Sequence, residues 1–184
     1  GPARPEHIPF APGRIIDSDE ILHLESIPRT LVVVGGGVIG CEYASIFATL
    51  GTEVTLLEKR ERLLDFADTE IVDALVYHMR QADMTLRLGE AVQRVFIDDR
   101  DRVITEMESG KRVVSEALLF AIGRQGATAD LGLDAAGLAA DERGRLQVDE
   151  TYRTAVQHIY AAGDVIGFPS LASVSMEQGR LAAC

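Results

Sequence analysis

The chain has 184 residues and is acidic, since 29 Asp and Glu residues against 18 Lys and Arg residues give a formal net charge of −11 at pH 7. This charge argues against nucleic acid or an anionic membrane surface as a partner. A hydrophobic content of 47% is enough to form one good core. The apolar runs have the length of strands and are too short to span a bilayer, and the N-terminus lacks the pattern of a signal peptide. A cytoplasmic location is therefore expected.

The first 28 residues contain five of the six prolines and are predicted to form a connector, with a possible short strand at Arg14-Ile15-Ile16. From residue 29 to about residue 90 the hydrophobic pattern predicts strand, helix, strand, helix and strand. This order is half of a doubly wound parallel α/β sheet. The second helix is expected over residues 68–82, because apolar residues recur there on one face.

A glycine-rich turn joins the first strand of this unit to its first helix. The apolar run Thr30-Leu31-Val32-Val33-Val34 leads directly into Gly35-Gly36-Gly37-Val38-Ile39-Gly40. Gly35 allows the tight turn, Gly37 lets the backbone approach a phosphate, and Gly40 lets the helix pack close to the strand. Because the N–H groups at the start of a helix favour an anion, residues 35–40 are predicted to bind a dinucleotide pyrophosphate.

The residues after the turn support this interpretation. Small residues at helical spacing predict a helix over residues 38–50, and Gly51 stands where a helix-ending glycine is favoured. The next strand, Val54-Thr55-Leu56-Leu57, ends in Glu58, about 20 residues beyond the glycines, where a carboxylate accepts hydrogen bonds from the adenosine ribose. A glycine-rich turn used only for packing explains the glycines but not Glu58.

Glu58 and the cations that follow it set opposite expectations for the nucleotide. A carboxylate favours the free 2′-hydroxyl of NAD and repels the 2′-phosphate of NADP, whereas Lys59, Arg60 and Arg62 lie within reach of that phosphate. The alternative is that these three side chains are solvated surface charges. The sequence leaves the preference between NAD and NADP open.

The second half of the chain has a different pattern. Short strands joined by polar turns, over residues 91–97, 103–108 and 111–115, predict an inserted antiparallel meander. The apolar run at residues 117–122 is expected to return to the parallel sheet. A strand is predicted at residues 158–162 and a helix start near residues 170–175. Between them, Asp164 is a candidate ligand of a sugar hydroxyl or a turn aspartate that caps the next segment.

The cysteines and histidines suggest no catalytic or metal site. Cys41 and Cys184 are far apart in sequence and lack a CxxC spacing, and Cys41 is expected to be a small, buried, inert thiol on the first helix. The four histidines are scattered, and none is assigned a chemical role.

Three segments resemble, in order and spacing, the flavoprotein pyridine nucleotide–disulfide oxidoreductases. They are the run from Gly35 to Glu42, Phe120-Ala121-Ile122-Gly123-Arg124 and Tyr160-Ala161-Ala162-Gly163-Asp164. The resemblance implies that Glu42 and Gly123 lie towards the nicotinamide and that Val92 lies beside the adenine through its backbone. It also implies that Asp164 and Ala172 contact FAD in the intact protein.

The same resemblance implies how the chain is divided. Residues 1–28 would be a connector from an FAD domain, residues 29–150 the NAD(P)-binding domain, and residues 151–184 a partial return to the FAD domain. Members of the family also have a first FAD-binding motif and a dimerisation domain, which are absent from this sequence. The parent would form a homo-oligomer through that dimerisation domain.

The activity implied by the resemblance is hydride transfer from NADPH to NAD+ through FAD, with NAD(H) and NADP(H) bound by this part of the protein. No side chain here need act as an acid or a base. Lipoamide dehydrogenase and mercuric reductase-like enzymes, whose redox disulfide would lie outside the chain, are alternatives. A stand-alone NAD(H)-binding sensor is an alternative of another class, but the chain stops at Cys184 within a predicted helix, which favours an enzyme fragment that is inactive by itself.

Overall fold

The computed structural model describes residues 1–184. Its contacts divide the chain into two compact units, Pro2–Gly123 and Arg124–Cys184 with Gly1, named here the sheet unit and the C-terminal unit. The boundary after Gly123 precedes the predicted boundary at residue 150. The assignment of residues 1–28, 29–150 and 151–184 to domains of an intact enzyme stays a prediction.

The sheet unit contains a five-stranded parallel sheet and a three-stranded antiparallel sheet. The strands are β1 (Ile15–Asp17), β2 (Thr30–Val34), β3 (Glu53–Glu58), β4 (Thr85–Leu88), β5 (Val92–Ile97), β6 (Val103–Met107), β7 (Arg112–Ser115) and β8 (Ala117–Phe120), and the helices are α1 (Val38–Thr49) and α2 (Thr69–Gln81). The parallel sheet has the order β1-β8-β2-β3-β4, and the antiparallel sheet has the order β5-β6-β7. The predicted α/β class with an inserted meander is confirmed, and the possible strand near residue 15 is part of the parallel sheet.

Alternate residues of the central strands pack into two different cores. Val33 and Leu56 face one side of the sheet, where they pack with residues of α1 and α2 such as Phe47. Val32 and Leu57 face the other side, where they pack with the meander. Because both faces are covered, β2 is apolar from Leu31 to Val34 and β8 is apolar throughout, with no alternation of apolar and polar residues.

The C-terminal unit has little regular structure before its helix, α3 (Ala172–Ala183), whose start agrees with the predicted position. The predicted strand at residues 158–162 is wrong, since this segment makes only an isolated bridge between Arg153 and Tyr160. The N–H of Thr154 donates to the carbonyl of Ile159, and the N–H of Ala161 donates to that of Tyr152. The segment therefore folds back on its own loop instead of joining a sheet. No helix of either unit combines the length and the apolar character needed to cross a bilayer.

Candidate dinucleotide-binding site

The glycine-rich turn lies at the carboxyl end of β2, the strand at which the order of the parallel sheet reverses. β3 and β4 follow on one side of β2, whereas β8 and β1 lie on the other. In open α/β sheets, ligands bind in the crevice outside the carboxyl ends of the strands at this switch point. The topology therefore places the predicted pyrophosphate loop where such a sheet binds its ligands.

Two of the glycines are required by the packing of the protein itself. Gly35 has φ +112°, and a Cβ on it would lie 2.4 Å from the carbonyl oxygen of Ala121 at the end of β8. A Cβ on Gly40 would lie 1.9 Å from the carbonyl oxygen of Gly35. Neither position accepts a side chain without a shift of the backbone, so these glycines allow β2, β8 and α1 to approach one another closely.

Gly37 differs from both, because nothing in the protein requires a glycine there. Its φ of −82° and ψ of −175° suit any residue, and a Cβ on it would meet no atom within 4 Å. It is the N-cap residue of α1, yet the helix has no side-chain cap, and its carbonyl accepts from the N–H of Cys41 at 3.0 Å. The N–H groups before Cys41 therefore lie at an uncapped helix end that opens onto free space, an arrangement that fits an anionic ligand.

Glu58 ends β3 directly beside this turn and is buried, with its side chain 4% exposed. Its Oε2 accepts from the backbone N–H of Gly36 at 2.6 Å and from Nη2 of Arg60 at 3.1 Å. Its Oε1 accepts from the backbone N–H of Arg60 at 2.9 Å and from Nε of Arg60 at 3.0 Å. Since a carboxylate offers about four lone-pair sites, the protein itself uses all the acceptor capacity of Glu58.

The electrostatics of this cluster keep Glu58 ionised. Burial raises the pKa of the Glu58 carboxyl, but hydrogen bonds from the side chain and backbone of Arg60 and from the N–H of Gly36 outweigh burial and hold the pKa below its ordinary value. Arg60 also contacts Asp65 through Nη1 at 2.7 Å. The hydrogen bond to Glu58 raises the pKa of Arg60 further above its already high value, so the guanidinium stays charged.

The loop after β3 packs onto the glycine-rich turn, a contact that was not predicted from the sequence. Leu63 is fully buried, and a Cβ on Gly36 would lie 2.5 Å from its Cδ2. The N–H of Leu64 donates to the carbonyl of Gly36 at 2.9 Å. The pair Leu63-Leu64 within an otherwise charged run was the signal that could have indicated this contact.

The family model of the pyridine nucleotide-disulphide oxidoreductases matches residues 5–179 of the chain. The chain belongs to this family. Flavoprotein oxidoreductases of this family use FAD together with NAD(P)H.

Relatives in the family are similar over almost the whole chain. The soluble pyridine nucleotide transhydrogenase of Mycobacterium tuberculosis strain H37Ra is 53% identical over 182 residues, and that of Colwellia psychrerythraea is 52% identical over 182 residues. Each comparison covers 99% of this chain but only 39% of the relative, so the chain spans about two fifths of the length of these relatives.

Solved structures of the family have the same fold. The HOCl-induced flavoprotein disulfide reductase RclA of Escherichia coli, as its Cu(II) complex, superimposes with a TM-score of 0.90 at 34% identity, over 98% of this chain and 41% of RclA. LpdA of M. tuberculosis superimposes with a TM-score of 0.90 at 30% identity, over 98% of this chain and 39% of LpdA.

The cations that follow Glu58 in this family member have three different environments. Arg60 is engaged with Glu58 and Asp65. Lys59 is exposed and makes no ion pair. Arg62 is half-buried, and its Nε and Nη2 atoms have no hydrogen-bond partner. These three side chains, for which the sequence sets a single expectation, therefore have different environments in the structure.

The other predicted site residues of the sheet unit lie around the same end of the sheet or on the elements that leave it. Gly123 is exposed with φ +120°, two residues beyond Ala121, the neighbour of Gly35. Glu42 is exposed on α1. Val92 is half-buried at the start of β5, two residues after Glu90, whose N–H donates to the carbonyl of Glu58 at 3.0 Å.

The two predicted FAD contacts lie in the C-terminal unit. Asp164 is exposed in a short 3₁₀ helix, Gly163–Ile166, and Ala172 is the exposed first residue of α3. The N–H of Gly163 donates to the buried side chain of Gln178 at 2.8 Å, which holds the 3₁₀ helix against α3. This buried contact of Gln178 was not predicted from the sequence.

Cys41 has the environment of an inert thiol. It is 5% exposed, and its sulfur lies 3.7 Å from the carbonyl oxygen of Gly36. Burial, followed by the negative charges of Glu58 and Glu42, raises the pKa of the thiol to about 11. No group of three or more His, Cys, Asp and Glu side chains is placed to hold a metal ion.

Proposed function

We propose that this chain is the NAD(P)H-binding part of a flavoprotein oxidoreductase that passes hydride between NADPH and NAD+ through FAD. The observation that carries the proposal is the uncapped end of α1 at Gly37, open to solvent at the switch point of the sheet. The choice of reaction is supported by the relatives at 53% and 52% identity, both named soluble pyridine nucleotide transhydrogenase.

In this proposal, the residues of the sheet unit bind and orient the dinucleotide. Residues 35–40 hold the pyrophosphate through backbone N–H groups and the field of α1, which compensates for the negative charge of the whole chain. Glu58 binds the adenosine ribose, and the backbone at Val92 lies beside the adenine. Glu42 and Gly123 lie towards the nicotinamide. FAD, when bound, supplies the centre that accepts and returns hydride, so none of these side chains need transfer a proton.

The proposal includes a parent protein larger than this chain. Asp164 and Ala172 would contact FAD there, and residues 1–28 and 151–184 would belong to its FAD domain. The parent would be a cytoplasmic homo-oligomer. These assignments rest on the family resemblance and on the match to about two fifths of each relative.

A flavoprotein disulfide reductase is the second candidate, and the likeness to RclA favours it. Reduction of a disulfide substrate requires a pair of redox cysteines. Cys41 is buried and has no cysteine partner, so the pair would have to come from another part of the protein.

Calorimetric titration of the purified chain with NADH, NADPH and FAD tests the binding role. Saturable binding of a nicotinamide dinucleotide without binding of FAD is the expected result. Tight, stoichiometric FAD binding would mean that the glycine-rich turn binds FAD and that its assignment to NAD(P)H is wrong. The reaction is then tested with the full gene product. NADPH-dependent reduction of an NAD+ analogue supports the proposal, and NADPH-dependent reduction of a disulfide in its place supports the second candidate.

A further inference from the structure

The hydrogen bonds of Glu58 leave no acceptor for a ribose hydroxyl. All four contacts to its carboxylate come from Gly36 and Arg60, at 2.6 to 3.1 Å. The two backbone donors are fixed by the turn and the strand end. Only the two side-chain donors of Arg60 can leave, so a ribose can bind to Glu58 only when the Arg60 guanidinium withdraws.

Arg60 has a second partner that makes this withdrawal feasible. Its side chain is 41% exposed, and its Nη1 lies 2.7 Å from Asp65, whose side chain is 55% exposed. Glu58, by contrast, is 4% exposed. The guanidinium therefore bridges a buried and a surface carboxylate, and it keeps one ion pair if it turns outward.

We infer that Arg60 is a specificity-determining residue, which gates Glu58 and lets a single site accept both NAD(H) and NADP(H). This inference rests on the proposed function. With NADP(H) the pair stays closed, so that the guanidinium compensates for the charge of Glu58 and presents its unused N–H donors to the 2′-phosphate. With NAD(H) the pair opens, Arg60 turns to Asp65, and ribose hydroxyls replace its two hydrogen bonds to Glu58.

The neighbouring cations lack this geometry. Lys59 makes no contact with either carboxylate, and Arg62 makes no ion pair. A phosphate bound by Lys59 or Arg62 would not change the hydrogen bonds between Arg60 and the Glu58 carboxylate. Only Arg60 couples the charge of Glu58 to the presence of the phosphate.

The inference is tested by calorimetric titration of NADH and NADPH into the wild-type protein and the variants Arg60→Gln, Lys59→Gln and Arg100→Gln. Arg100 is exposed in the turn at the other end of β5, so Arg100→Gln makes the same change of charge away from the site. We expect Arg60→Gln to weaken NADPH binding by about ten-fold or more and to leave NADH binding equal or tighter, because a competitor for Glu58 is removed. Arg100→Gln should change neither affinity by more than about two-fold.

Several results would overturn the gate. An unchanged ratio of NADH to NADPH affinity in Arg60→Gln would do so, as would a loss of NADPH binding in Lys59→Gln that exceeds the loss in Arg60→Gln. In both cases the wild-type protein still binds nucleotide and the proposed function stands. Wild-type protein that binds neither nucleotide would overturn the proposed function and the gate together.

A second variant keeps the test decisive if Arg60→Gln does not fold. The double variant Glu58→Gln/Arg60→Gln removes the buried charge together with its partner, so no uncompensated carboxylate remains. It should bind NADPH more weakly than wild-type protein does and should bind NADH no more tightly. A double variant that binds NADPH as tightly as the wild-type protein does would overturn the gate, because Arg60 would then make no contribution to binding of the 2′-phosphate.

Discussion

Replacing Gly37 with serine should change stability and nucleotide affinity in opposite directions. Serine is at least as good an N-cap as glycine, and the φ of −82° and the free space at Gly37 accept its side chain. The expected gain in the free energy of unfolding is about a few tenths of a kcal/mol, which raises the thermal midpoint of a chain of this size by less than about 2 °C. The serine hydroxyl, however, would bond to the N–H groups proposed to bind the pyrophosphate.

The expected loss of affinity follows from those hydrogen bonds. A hydrogen bond to a charged group contributes about 1.5–3 kcal/mol, so losing one weakens binding by about ten- to a hundred-fold. Scanning calorimetry measures the midpoint, and titration with NADH measures the affinity. Gly179→Ser is the matched control, since Gly179 lies in α3, where a Cβ would meet no atom within 4 Å, and this change should leave NADH binding unaltered. A Gly37→Ser protein that binds NADH as tightly as wild type would refute the placement of the pyrophosphate at this turn.

Three further predictions concern the residues around the turn. Gly40→Ala should lower the thermal midpoint by about 2 to 12 °C, because overpacking costs about 1–3 kcal/mol and the new Cβ would lie 1.9 Å from the Gly35 carbonyl oxygen; an unchanged midpoint would contradict that contact. The pKa of Glu58 is depressed, so its contribution to stability is present above the ordinary carboxyl pKa and is lost as the pH falls through the lower folded-state value. Between about pH 6 and about pH 3, the free energy of unfolding measured with urea should therefore fall less for Glu58→Gln than for the wild-type protein. Equal decreases in the two proteins would count against the ion pair. Burial raises the pKa of Cys41 to about 11, so a thiol reagent at about pH 8 should label only Cys184 in the folded protein, and fast labelling of a folded Cys184→Ser variant would disprove this.

The local elements of the sheet unit were predictable because their signals are local. The spacing of residues within a short stretch of sequence predicts the apolar strands, the glycine-rich turn and the helix after it. The structure has α1 at Val38–Thr49, and the predicted range was 38–50. The register of β2 and β3, which pairs Val34 with Leu57, then brings the residues that follow these strands together. This pairing places Glu58, which was predicted to bind the adenosine ribose, directly beside the glycines.

The partners of Glu58 were not predictable from spacing. The guanidinium of Arg60 could contact solvent, a phosphate, Asp65 or the buried carboxylate of Glu58. Which partners it has depends on the conformation of the loop at residues 59–67, which packs against Gly36. The wrong strand at residues 158–162 has a related cause. An apolar run predicts burial, but only a neighbouring strand makes it part of a sheet, and here the backbone bonds to Tyr152 and Thr154 of its own loop.

The place of β8 between β1 and β2 bears on how the protein emerges from the ribosome. β1 pairs only with β8, and Ile15 lies opposite Leu118, so about 100 residues must be synthesised before β1 can join the sheet. At about 5–20 residues per second this delay lasts about 5 to 20 s. During this delay Ile15 and Ile16, which are fully buried in the finished fold, lack the strand with which β1 pairs. The order of synthesis therefore makes the pairing of β1 with β8 a late step in the formation of the parallel sheet.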